Sequence, residues 1–219
     1  MHWVFQSKNS HGNVVFNFRR NPIDDLAPFA HGYHEAGKRL AGMLAASPGY
    51  RDFDGYPILF LYRHALELYM KAVVYRGAQL LHLLDTGAVD TSKLFRVHRL
   101  SDLLPGVKAV FDGIGWTWEM DTEGINSFED FEDLVRGIEE LDPESYNFRY
   151  PTDTKGQAAL NHHTVVNPVG FSLNMDPILD VLAAAVLGLH EEFDATAAAK
   201  FELQDMVKRI SEQPDAADG

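Results

Sequence analysis

The chain has 219 residues, no cysteine, and 32 acidic against 19 basic residues, for a formal net charge of −13. Its length suits one sizeable domain, and its 46% hydrophobic content is that of an ordinary globular chain. The missing thiols exclude disulfides, thiolate nucleophiles and Cys-type zinc sites, and the acidic balance argues against coating nucleic acid by bulk electrostatics while leaving room for a local basic groove.

The first residues lack the basic start and apolar core of a signal peptide. Trp3-Val4-Phe5 and Val14-Val15-Phe16-Asn17-Phe18 flank a turn-like Asn9-Ser10-His11-Gly12-Asn13, which predicts a small N-terminal β-hairpin. A first helix is expected over 25–46, with Leu26, Phe29, Ala30, Tyr33, Gly37, Leu40 and Leu44 as its buried stripe and Ser47-Pro48-Gly49 as its stop. A second helix is expected over 56–76, with a break at Gly77. Its apolar residues cover most of the circumference, as in a helix at the centre of a fold.

Further along, 90–104 carries the apolar set Leu94, Leu100, Leu103 and Leu104, and Pro105-Gly106 is expected to interrupt it. A loop with Trp116 and Trp118 follows, then a helix capped by Ser127 with Phe128, Phe131, Leu134, Val135, Ile138 and Leu141 inward, ending at Asp142-Pro143. The stretch 146–169 reads as loop, and Asp176-Pro177 as the start of the last helix. No uninterrupted apolar run approaches the ~18–20 residues of a membrane span. The longest, 177–189, is broken by Asp180 and followed by His190-Glu191-Glu192. The expectation is a cytoplasmic, mainly α protein, one domain over 1–211 with a disordered acidic tail at 212–219, not bound to a membrane.

The exceptions on the second helix are Arg63, Glu67 and Lys71, spaced by four and so on one face, with His64 beside Arg63. Buried charges must pair internally, face a cleft or face a second subunit. One reading is therefore an Arg-Glu-Lys ladder that satisfies itself. The other has Arg63 and His64 lining a cleft with Glu67 as orienting group. His31 and His34 lie three apart with Glu35 adjacent, a pattern better explained by solvation or capping than by a metal, and no cofactor motif is present. Trp116 and Trp118 could stack a base, though two loop tryptophans more often cover a core.

Residues 57–77, PILFLYRHALELYMKAVVYRG, followed by VHRLSDLL, resemble HEPN-superfamily helical domains, whose Glu-x-x-x-Lys-Ala helix precedes a His-x-Leu-x-x-Leu segment. Here those positions are Glu67, Lys71 and Ala72, then His98, Leu100 and Leu103, and NFRYPTDTKG is similar to a loop of relatives with an Arg-His-x-Leu-Glu helix. The resemblance covers 56–104 well and the rest by helical character. It implies a helical bundle that forms a homodimer and, in many members, a metal-independent ribonuclease of toxin or antiviral-defence systems. The family's Arg-x(4–6)-His motif opens the last long helix. Its one numerical counterpart here, Arg76 to His82, follows the second helix instead, and Asn161-His162-His163 has no arginine at the required distance. Two functions are expected on this basis. One is an RNA-cleaving protein with an atypical site, in which Arg63, His64 and His98 are catalytic and Arg149, Glu67 and Lys71 bind substrate. The other is a non-catalytic dimeric module that binds a protein or a nucleotide.

Overall fold

The structure is a computed structural model that describes residues 14, 26–47, 49, 51–118, 122, 124–153, 155–160 and 164–211. The expected hairpin (Val14 apart), Asn161-His162-His163 and the tail 212–219 lie outside them. Five α-helices make up the described architecture: α1 (Leu26–Ala46), α2 (Gly55–Leu84), α3 (Leu104–Ile114), α4 (Phe128–Leu141) and α5 (Pro168–Ser211). The protein is thus mainly α, and its described β structure is limited to two isolated bridges, Thr122 with Ile125 and Thr152 with Ala158.

α2 is the axis of the bundle and packs on α1, α3 and α5. Ile58, Tyr62, Ala65, Leu66, Tyr69, Met70, Val73, Leu80 and Leu81 are all buried, which is why its apolar residues leave no wide polar face. Gly77 does not break the helix. A Cβ there would overlap the Val110 side chain, so the glycine serves the close approach of α3 to α2.

On α1 the buried residues are Ala30, His34, Gly37 and Ala41, while Phe29 is 57% exposed and Leu40 37% exposed. The buried stripe is rotated from the expected one because small residues let α1 lie close on α2. A Cβ at Gly37 would press on the Tyr62 ring. Pro105 does not interrupt a helix; it occupies the first turn of α3, where its missing N–H costs nothing, and Gly115 ends that helix in a left-handed conformation (φ 79°). Ser127 caps α4, its Oγ accepting from Asp130 N at 3.1 Å. Trp116 and Trp118 cover the core: Trp118 stacks on Phe111 at 4.3 Å and meets Phe128 edge-on at 4.9 Å.

α5 begins well before Asp176-Pro177. Asn167 Oδ1 accepts from the backbone N of Val169 and Gly170, at 3.1 and 3.0 Å, and Pro168 takes the first position. Pro177 is carried inside the helix, and Leu173, whose carbonyl loses its partner, is 67% exposed, so water can take the place of the missing N–H. With 44 residues, α5 is by length and composition able to cross a membrane; an 18-residue window reaches a mean hydropathy of 1.4, and 39% of that window is buried. Its Met175, Ile178, Leu179, Leu182, Val186 and Leu189 are part of the bundle core.

Candidate functional site

The polar stripe of α2 closes on itself. Arg63 is fully buried and all three kinds of its nitrogen donate: Nε to Asp142 O at 3.0 Å, Nη1 to Glu67 Oε2 at 2.8 Å and Nη2 to His98 O at 2.6 Å. Asp142 Oδ2 lies 3.4 Å from the same Nε as an ion pair. Lys71 Nζ donates to Glu67 Oε1 at 2.7 Å, with both residues buried. Burial raises the Glu67 pKa, but the hydrogen bonds and charges of Lys71 and Arg63 outweigh it and hold the carboxyl below its usual range. Two buried cations and two buried carboxylates therefore balance one another in charge, with Asp142 Oδ2 making no hydrogen bond among the described residues, and the backbone of His98 is part of the arrangement.

His98 stands on the surface above them. Its side chain is 62% exposed, and its Nδ1 lies 3.2 Å from Glu67 Oε1. An ionised carboxylate accepts, so Nδ1 carries the proton and the other ring nitrogen is turned outward. The segment holding His98 is clamped from both sides. Arg63 grips its carbonyl, while Glu139 of α4 accepts from Arg99 Nε (3.1 Å), Ser101 N (2.6 Å) and Ser101 Oγ (2.9 Å).

His64 lies one step around α2 and is half-buried, stacked on Phe60 (5.5 Å, 10° between planes) with Tyr33 edge-on at 4.5 Å. Burial lowers its pKa, helped by the positive charges of Arg63, Lys71 and Arg149 and opposed by Glu67. Arg149 is exposed. Its Nε donates to Ser145 O at 2.5 Å, and its guanidinium carbon lies 5.6 Å from the rings of both Phe60 and Tyr150. The loop carrying it is built on Asp142, whose Oδ1 accepts from Tyr146 N (2.6 Å) and Asn147 N (2.8 Å).

The six residues expected to form the site therefore fall into two neighbouring groups. Arg63, Glu67, Lys71 and His98 are linked directly, and His64 and Arg149 meet through Phe60. Arg63, Glu67 and Lys71 are buried, so of the six only His98, Arg149 and part of His64 face solvent.

Sequence reasoning missed Asp142 and Glu139. The signal lay in their register: Phe131, Val135, Ile138, Glu139 and Asp142 follow the 3–4 spacing of one helix face, so the two carboxylates point where apolar residues would. It also missed a second polar junction. His34, 1% exposed, has its Nε2 2.9 Å from Asp176 Oδ1, and Tyr62 donates its hydroxyl to the same oxygen at 2.5 Å. This junction ties α1, α2 and α5 together. Among the described residues no group of three His, Asp or Glu side chains is arranged to hold a metal ion.

Compared with models of known families, with characterised proteins and with solved structures, the chain matches none.

Proposed function

We propose that this is a HEPN-like cytoplasmic protein that cleaves RNA without a metal. The observation that carries the reading is the exposed His98 ring held at Nδ1 by a buried carboxylate that two buried cations keep ionised. This is the arrangement that orients a histidine and fixes which ring nitrogen faces the carboxylate. In this reading His64, kept neutral by burial, takes the proton of a ribose 2′-hydroxyl; the oxygen attacks phosphorus and the bond to the leaving 5′-oxygen breaks. His98 gives that oxygen its proton, and Arg149 balances the charge on phosphorus. Arg63 and Lys71 act through Glu67 rather than on substrate. Incubating the pure protein with RNA, alongside His98→Ala and His64→Ala, tests this: unchanged cleavage in both variants, or none by the native chain, ends it.

A second reading has its own observation. Arg63 and Lys71 spend their hydrogen bonds inside the bundle, so Arg149 is left as the cation facing solvent in this group. A module of this kind binds a nucleotide or a protein without cutting. Saturable binding without cleavage selects it.

The expectation of a homodimer rested partly on the polar stripe needing a partner, and the stripe's internal pairing removes that ground. The uncovered face is on α5 instead. Its last buried residue is Leu189, and beyond it Leu203, Met206, Val207 and Ile210 share one face at 57–66% exposure. Two copies packed antiparallel through this segment would cover the apolar face.

A further inference from the structure

We propose that the surface formed by Arg149, Phe60 and Tyr150 is a binding site for an unpaired nucleobase carrying a phosphate, one to a few nucleotides long. Six π systems from three parts of the chain meet there in series. Tyr33 stands edge-on to His64, His64 stacks on Phe60, Arg149 lies against both Phe60 and Tyr150, and Tyr146 stacks on Tyr150 at 4.6 Å. Two of these members are open: Arg149 is exposed and Tyr150 is 48% exposed. In a chain with 32 acidic residues, Arg149 has no acidic partner among the described residues; its described contacts are two rings and one backbone carbonyl. An exposed guanidinium whose carbon lies 5.6 Å from two aromatic rings suits an anion attached to a flat ring.

A cleft of about 550 Å³ is lined from the same two segments, by Tyr56, one turn before Phe60 on α2, and by Phe148, next in sequence to Arg149, together with Arg51 and Thr164. That volume is within the roughly 300–1,000 Å³ typical of small-ligand pockets. The net charge of −13 disfavours a long polyanion, so recognition rests on stacking and one phosphate. The proposal deepens the RNA reading of the same surface, yet binding and cleavage fail separately.

The test is titration of the native full-length chain with adenosine, adenosine 5′-monophosphate, inorganic phosphate and 2′-O-methyl oligoadenylates of two, four and eight nucleotides, which lack the hydroxyl that cleavage would use. Saturable binding of the monophosphate is expected, levelling off by about four nucleotides, with affinity falling with salt at a log–log slope near ~0.7 for one phosphate contact. Arg149→Gln should weaken the monophosphate about tenfold and adenosine little. Tyr150→Ala, with unchanged thermal stability, should weaken both about tenfold. No saturable binding, inorganic phosphate binding as tightly as the nucleotide, an Arg149→Gln variant with native affinity, or affinity rising steadily to eight nucleotides would each overturn it. Binding as described by a chain that leaves unmodified RNA intact supports this site and refutes the cleavage reading alone.

Discussion

Glu67 Oε1 lies 3.2 Å from Nδ1 of His98 and 2.7 Å from Lys71 Nζ, so one buried oxygen serves a surface histidine and a core lysine together. The same residue thus holds the fold and orients the surface ring. Glu67→Gln leaves Lys71 buried without its countercharge and Arg63 with only the longer pair to Asp142, and should cost about 3–5 kcal/mol in urea unfolding. Replacing Glu67 and Lys71 together with apolar residues of similar size should cost less than Glu67→Gln alone, because the remaining buried charges, Arg63 and Asp142, still balance one another.

Acid should destabilise the protein in two steps. His64 has a folded pKa below its ordinary 6.5, so the unfolded chain binds its proton first. Its contribution is complete above about pH 6.5 and is lost as pH falls through the folded value. Glu67 and Glu139 are held below the ordinary 4.5, so their contribution is present above about pH 4.5 and lost as pH falls further. Melting temperatures followed from pH 7 to pH 3 should show both declines, and His64→Gln should flatten the first and leave the second.

The two buried tyrosines of α2 should respond in opposite ways to loss of their hydroxyls. Tyr62 donates to Asp176 at 2.5 Å, an acceptor it shares with His34. Tyr62→Phe should cost about 1–3 kcal/mol. Tyr69, 1% exposed, has no partner for its hydroxyl among the described residues, and burial with the nearby charges of Asp180 and Glu35 pushes its pKa up to about 12. Tyr69→Phe should be neutral or stabilising by about 1 kcal/mol, since an unmade buried hydrogen bond is removed with the group. Urea unfolding of the two variants decides the matter.

If copies pair through α5, Leu203→Lys with Ile210→Lys should convert a dimer to a monomer by light scattering while leaving the helical signal intact. Both side chains are more than half exposed in the single chain, at 59% and 66%. A native chain that is already monomeric at micromolar concentration would refute the pairing.

The helical class and the central place of α2 were legible because apolar periodicity reports burial directly, and the capping role of Ser127 followed from local chemistry. Other features depended on partners far along the chain. Gly77 looked like a break because the pressure of Val110 on it is set by tertiary packing. His34 looked like a solvated or capping residue because Asp176, its partner, lies 142 positions away. The Arg-Glu-Lys stripe was visible as a stripe, but spacing alone does not distinguish a ladder that closes internally from one that lines a cleft. Asp142 and the carbonyl of His98 decide that question, and both come from outside α2.

The most direct test of the account is cleavage of single-stranded RNA by the pure native chain in EDTA, with the products examined for 2′,3′-cyclic phosphate ends. The account predicts metal-independent cleavage leaving such ends, reduced about 100-fold or more by His98→Ala. Intact RNA with the native chain, or equal cleavage by native and His98→Ala protein, would contradict it.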